Sequence, residues 1–176
     1  MLEIELPHPG INTDKDRRFT YLNKDGIWSE IGKYFDGLGI FAYNYPLAAD
    51  VCAGDGSVAA LLVGRGWSPK DIYCFDKART LSPLVKRVNW RYWNLYNLGV
   101  AIRGGEQLPR NIEKLKGFFD FVAMAQSFGV YEYAHEVCGF LVRAGGIVYS
   151  SGISLNRGHP ESWIKEDNSH LMRKVG

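Results

Sequence analysis

Residues 47–57 read Leu-Ala-Ala-Asp-Val-Cys-Ala-Gly-Asp-Gly-Ser, an apolar run that stops at two glycines. The pattern is a buried strand from Leu47 to Val51, a tight turn from Cys52 to Gly56, and a helix start. Ser57 is placed to cap a helix running from Val58 to about Arg65. Gly54 and Gly56 lack a Cβ, so the backbone can take positive φ there and a bound molecule can come close to it. The first turn of the helix adds unpaired N–H donors and partial positive charge, which favour a polar or anionic group. A lone G-x-G turn is equally an ordinary connector.

Two acids make the turn more specific. Asp50 lies at the strand end, where a buried charge without a partner is expensive, so a job for it is expected. Asp76 comes 20 residues after Gly56, at the end of a second apolar run, Asp71-Ile-Tyr-Cys-Phe-Asp76. An acid at the tip of the neighbouring strand can accept hydrogen bonds from both hydroxyls of a ribose. Together these residues suggest a nucleoside-containing cofactor; the blander alternative is two acids that cap loops. Gly54, Gly56 and Ala59 also match the G-x-G-x-x-A of nicotinamide dinucleotide folds.

Asp50-Val51-Cys52-Ala53-Gly54-Asp55-Gly56 resembles motif I of class I S-adenosylmethionine-dependent methyltransferases, Asp-x-x-x-Gly-x-Gly, with Cys52 where many members have a first glycine. Dinucleotide folds usually carry an apolar residue in place of Asp50. The resemblance spans roughly residues 42–152. It implies an α/β fold, a Rossmann-like three-layer sandwich with a mostly parallel sheet, and S-adenosylmethionine as cofactor. The cofactor-binding residues it implies are Asp50, Cys52, Ala53, Gly54, Asp55 and Gly56 in motif I, Asp76 and Lys77 at the second strand, Glu106 after the third and Gln126 after the fourth. Gly104 stands where the family often has an aspartate for the adenine, and Glu106 is the candidate substitute, a charged surface loop being the equal alternative. Asn44 and Tyr45, ahead of motif I, are further candidates, with packing over the sheet edge the alternative for Tyr43 and Tyr45.

The bulk properties bound the reading. A chain of 176 residues with 46% hydrophobic content suits one domain that buries roughly 70% of its unfolded surface. Residues 1–41 read as an arm and a covering helix, 42–152 as a cofactor-binding core, and 153–176 as a polar tail. A net charge of +2 and a pI of 8.4 are too balanced for disorder and too weakly basic to define a nucleic-acid partner. No apolar stretch approaches the roughly 18 residues of a membrane span, and Met1-Leu-Glu-Ile-Glu is no signal peptide, so a cytoplasmic protein without a membrane partner is expected. Cys52, Cys74 and Cys138 are odd in number, widely spaced and without a C-x-x-C pair; free buried thiols and no metal follow.

Outside motif I, Leu2-Glu-Ile-Glu-Leu6 alternates as a short strand or arm, and Trp28, Ile31, Tyr34 and Phe35 predict a helix over 27–36. Ser82-Pro83 opens a long helix carrying Leu84, Val88, Tyr92 and Leu95 or Tyr96 at 3.6-residue spacing. Lys86, Arg87, Trp90 and Arg91 then form a basic face interleaved with tryptophan, suited to nucleic-acid phosphates and bases, or a solvated face whose tryptophans cover a neighbouring element or a second subunit. Val100–Arg103 is the third strand, Phe118–Ala125 the fourth, and Arg143–Ser151 the fifth, after a helix with an Ala134, Val137, Cys138, Leu141 and Val142 stripe. A full class I sheet has seven strands. The 24 residues from 153 to 176 are polar and too few for the missing helix and two strands, so a truncated sheet of about five parallel strands, order 3-2-1-4-5, with at most one extra edge strand, is expected. A bare edge needs covering, by the amino-terminal strand or by a homodimer.

The reactive end of the cofactor should face Gln126–Tyr133, beyond the fourth strand. Ala125-Gln126-Ser127-Phe128 has neither the Asn/Asp-Pro-Pro-aromatic run of amino-methylating enzymes nor a Pro-Cys, and no aspartate follows Asp120 to fit a Lys-Asp-Lys-Glu set. The acceptor therefore stays open, nucleic acid standing ahead of a small molecule because of the basic face. Tyr131, Glu132 and His135 are the candidate bases; His135 lies opposite the apolar stripe, as a solvated histidine would. Two other readings remain: a degenerate methyltransferase-like subunit that needs a partner chain, and a NAD-dependent oxidoreductase supported only by G-x-G-x-x-A.

Overall fold

The computed structural model describes residues 2–7, 10–11, 27–79, 85–125, 131–151, 163–165 and 171–175. Gln126, the Ser82-Pro83 helix start and most of the expected tail lie outside them. The described elements are β1 (Gly10–Ile11), α1 (Ile27–Gly37), β2 (Ala48–Val51), α2 (Ser57–Val63), β3 (Ile72–Asp76), β4 (Ala78–Arg79), β5 (Asn89–Tyr92), α3 (Leu95–Arg103), α4 (Arg110–Glu113), β6 (Phe119–Ala125), α5 (Ala134–Leu141), β7 (Val142–Ser151), β8 (Trp163–Lys165) and β9 (Leu171–Lys174). None of these helices is long and apolar enough to cross a membrane.

The central sheet has the order β5-β3-β2-β6-β7-β9-β8. Its first five strands in the chain, β2, β3, β5, β6 and β7, are parallel and take the expected 3-2-1-4-5 arrangement. β9 runs antiparallel to both β7 and β8. The tail is thus not too short for sheet: it supplies two strands where at most one was expected. They are three and four residues long, too brief for periodicity to show them.

Helices cover both faces, which is why the parallel strands read as continuous apolar runs. On one face α3, α5 and Ile112 pack on Ala49, Val51, Phe75, Val122 and Met124. On the other, Phe35 of α1 and Val58, Ala59 and Leu62 of α2 pack on Ala48, Cys74, Phe121, Ala123 and Tyr149. Phe35 meets Phe121 and Tyr149 edge-on, at 5.5 and 4.8 Å between ring centroids. These are favoured aromatic geometries.

Two elements differ from expectation, and they differ together. Residues 85–88 are bends and 89–92 form β5, paired in parallel with β3; the helix comes later, at 95–103, where a third strand was expected. Asn94 decides the boundary: its side chain accepts the Asn97 N–H at 3.2 Å, a helix N-cap. Leu95, Leu98 and Ala101 then bury one helical face. Because β5 is a strand, Trp90 and Arg91 point to opposite faces, and the expected basic and aromatic helix face does not form. The arm does cover the β5 edge, with Glu5 bridged to Trp93 and Ile4 buried in the core.

Candidate functional site

The site is built where β2 and β3 end side by side. Beyond Val51 the chain turns through three left-handed residues, Cys52 (φ 61°), Gly54 (φ 59°) and Gly56 (φ 85°). Glycine meets this demand without strain; Cys52 meets it as a side chain-bearing residue. It occupies the position where the resemblance has a glycine, and holds a glycine's conformation. The turn is tied to β3 twice: Ala53 N–H donates to Phe75 O at 3.1 Å, and Gly54 N–H to Asp76 Oδ2 at 2.9 Å. The other oxygen of Asp76 accepts the Ala78 N–H at 3.0 Å. These two amides orient the Asp76 carboxylate.

Three carboxylates are buried here: Asp50, Asp55 and Asp76, at 1, 8 and 4% exposure. Asp50 Oδ2 accepts the Ala59 N–H at 3.1 Å, and Asp55 Oδ1 accepts both the Ser57 N–H at 3.1 Å and the Ser57 hydroxyl at 2.6 Å. Ser57 is therefore not the cap but the first helical residue, donating to Asp55; Gly56 holds the cap position. The charges are placed against the helix N-terminus, which stabilises them. Their field is felt nearby: burial first, then Asp50 and Asp76, pushes the Cys74 thiol far above its ordinary range.

The consequence for ligands is specific. A dinucleotide fold presents the first-turn N–H groups of this helix to a pyrophosphate. Here the Ser57 and Ala59 donors point at the chain's own carboxylates, and an incoming phosphate would meet two negative charges. A ligand with hydroxyls for Asp76 and a cationic group near the turn suits the same surface. S-adenosylmethionine has both, and the glycine backbone lets it approach; on these grounds the residues fit it.

The structure brings Asp50, Cys52, Ala53, Gly54, Asp55, Gly56 and Asp76 together, with Lys77 exposed just beyond. Trp90 joins them in a different role from the one expected, its indole lying 3.7 Å from the point where a Cβ on Gly56 would sit. Lys86 and Arg87 are exposed on the bend before β5, and Arg91 lies over the Tyr73 ring at 5.7 Å. Glu106 and His135 are not brought to the turn. They line a groove of about 890 Å³ with Lys116 and Lys174, residues beside the amino ends of β6 and β7. Glu132 is exposed and pairs with Arg103 at 3.2 Å; Tyr131 belongs to the short helical turn Tyr131–Tyr133 that precedes α5. Asn44 and Tyr45 precede β2, at the far end of that strand from the turn, where Asn44 donates to Gly39 O and Tyr45 packs on Phe121. Sequence reasoning missed β1, which pairs with β4 next to Asp76; two residues leave no periodic trace.

The fold is Rossmann-like, that of class I S-adenosylmethionine-dependent methyltransferases. Among the solved structures that share it are two with which the chain aligns over most of its length. One is a putative S-adenosyl-L-methionine-dependent methyltransferase from Methanococcus maripaludis, with a TM-score of 0.51 and 14% identity over 83% of this chain and 67% of the other. The second is an O-methyltransferase family protein from Burkholderia thailandensis, with a TM-score of 0.52 and 18% identity over 84% of this chain and 44% of the other. The present chain thus spans less than half the length of the second. No protein-family model and no curated protein sequence matches the chain.

Proposed function

We propose that this chain binds S-adenosylmethionine and transfers its methyl group to an acceptor oxygen. The observation that carries the cofactor reading is the occupation of the α2 donors at Ser57 and Ala59 by Asp55 and Asp50. It turns the surface away from a dinucleotide phosphate and toward a cofactor with a cationic end. In this reading Asp76, oriented by Gly54 and Ala78, holds the ribose hydroxyls. Asp50, Gly54 and Gly56 shape the pocket for the methionine end. Bound S-adenosylmethionine supplies a methyl group already activated on a sulfonium. The chain's own contribution is alignment, holding donor and acceptor in line for displacement.

The preference for nucleic acid rested on a basic, tryptophan-bearing helix face. β5 takes its place, so that helix face no longer supports the preference, and an oxygen acceptor is favoured by analogy with the O-methyltransferase family protein. The reading as a partner-dependent subunit drew on a missing sheet end and on the lack of a base; β8 and β9 supply strands at that end, and the second ground stands. Calorimetric titration with S-adenosylhomocysteine, with NAD as control, tests the cofactor: micromolar binding of the first alone is expected. Binding of NAD alone would instead establish the oxidoreductase.

A further inference from the structure

The first described residues are attached to the rest of the fold in two places. Along the β5 edge, Leu6 N–H donates to Tyr92 O at 2.8 Å, Asn94 N–H to Ile4 O at 2.7 Å, and the Asn97 amide to Glu3 O at 2.8 Å. Ile4 is 4% exposed and sits in the core with Trp93 and Phe75. Four residues beyond Leu6 comes the second attachment: Gly10 and Ile11 pair in parallel with Ala78 and Arg79.

The two attachments differ in strength. The first has an apolar anchor and several hydrogen bonds. The second is a two-stranded pairing of two residues per strand, separate from the main sheet. Isolated two-stranded pairings are marginal in water. Yet this one lies against the candidate site, because the Ala78 N–H donates to Asp76 Oδ1 at 3.0 Å and Ala78 itself is buried. The segment that holds the arm also holds the carboxylate.

We propose that β1 is a strap whose docking on β4 is coupled to cofactor binding at Asp76. Docked, it fixes Ala78 and thereby the Asp76 carboxylate. A ligand bound to Asp76 stabilises the same arrangement and tightens the strap, since coupling between two sites is reciprocal. The anchor at Ile4 keeps the strap close when β1 is released, so redocking does not require a search. The inference rests on Asp76 as the ribose-binding acid.

The test uses the full chain with Gly10→Pro and, separately, Ile11→Pro. In a parallel pair only alternate residues of a strand direct their N–H to a given neighbour, so one of the two prolines removes a ladder hydrogen bond and the other is its control. One variant should bind S-adenosylhomocysteine about tenfold more weakly than the other, with an unchanged unfolding midpoint. In the unaltered chain, S-adenosylhomocysteine should slow backbone hydrogen exchange at residues 10–11 and 78–79. Equal affinity of both variants and the unaltered chain, with exchange at those residues untouched, overturns the strap while leaving the cofactor reading intact. Failure of the unaltered chain to bind overturns both.

Discussion

The amide of Gly54 points at the carboxylate of Asp76, 2.9 Å away, so the turn after the first sheet strand and the tip of the second are one hydrogen-bonded unit. Residues 22 positions apart in the chain are thereby fixed relative to each other before any ligand arrives. This is preorganisation in the energetic sense: the backbone that a ligand would approach and the acid that would bind it need no rearrangement.

Changing Asp76 to Ala should weaken S-adenosylhomocysteine binding by about 1–3 kcal/mol, the range for losing charge-assisted hydrogen bonds. Asp76→Asn separates charge from shape, because it retains one acceptor oxygen for Gly54 or Ala78. It should lie between the wild type and Asp76→Ala in calorimetry. Unaltered affinity in both variants removes Asp76 from the site.

Cys52 offers a test of backbone strain. A residue with a Cβ in the left-handed region costs roughly 1–2 kcal/mol, and glycine removes that cost while adding unfolded-state entropy of about 0.4–1 kcal/mol. Cys52→Gly should therefore be neutral to about 1 kcal/mol more stable in urea denaturation. Cys52→Val places a β-branched residue at φ 61° and should be clearly less stable than the wild type. Equal stability of all three would mean that the turn relaxes to another conformation.

How much of this was legible depends on how each element is coded. The order of the parallel strands and the turn at 52–56 were readable because continuous apolar runs end at glycines. β5 was not, because Leu84, Val88 and Tyr92 recur at helical spacing while only four residues form the strand. The decisive signal was Asn94 followed by Asn97, a capping pair that a 3.6-residue count overlooks. Glu106 was placed by analogy to the segment after a third strand. Once that strand proves to be α3, the same residue follows a helix end and lines the groove instead. β9 is held by β7, far back in the sequence, and β8 is held only through β9, so no local pattern announces either strand.

Gly99 tests how α3 meets the turn before α5. A Cβ added there would lie 2.2 Å from Tyr133 Cβ and 2.7 Å from its Cγ, atoms too near the backbone to swing away. Tyr133 is further held by Arg103 over its ring at 4.2 Å and by Tyr96 edge-on at 5.0 Å. Helix propensity alone makes Gly99→Ala stabilising by about 1 kcal/mol. Overpacking should reverse the sign and leave the variant about 1–3 kcal/mol less stable. The double variant with Tyr133→Ala should show coupling between the two sites in a double-mutant cycle; additive effects would show that Tyr133 is not what excludes the methyl group.

The buried thiols make the last prediction. Burial pushes Cys138 up to about 12, and burial with the two carboxylates raises Cys74 further. In the unfolded chain both ionise near the ordinary thiol value of 9.0. Between that value and the folded one, the unfolded state has lost protons that the folded state keeps, so stability is full below pH 9 and falls as pH rises toward 12. Urea midpoints at pH 7.5, 9 and 10.5, roughly spanning the onset of this window, should fall more steeply for the wild type than for Cys138→Ala. At pH 7.5, roughly 1.5 units below the thiol value, a chromogenic disulfide should titrate the half-buried Cys52 in the native protein and reach Cys74 and Cys138 only after unfolding. Rapid native reaction of all three would show that the sheet opens around them far more readily than its packing implies.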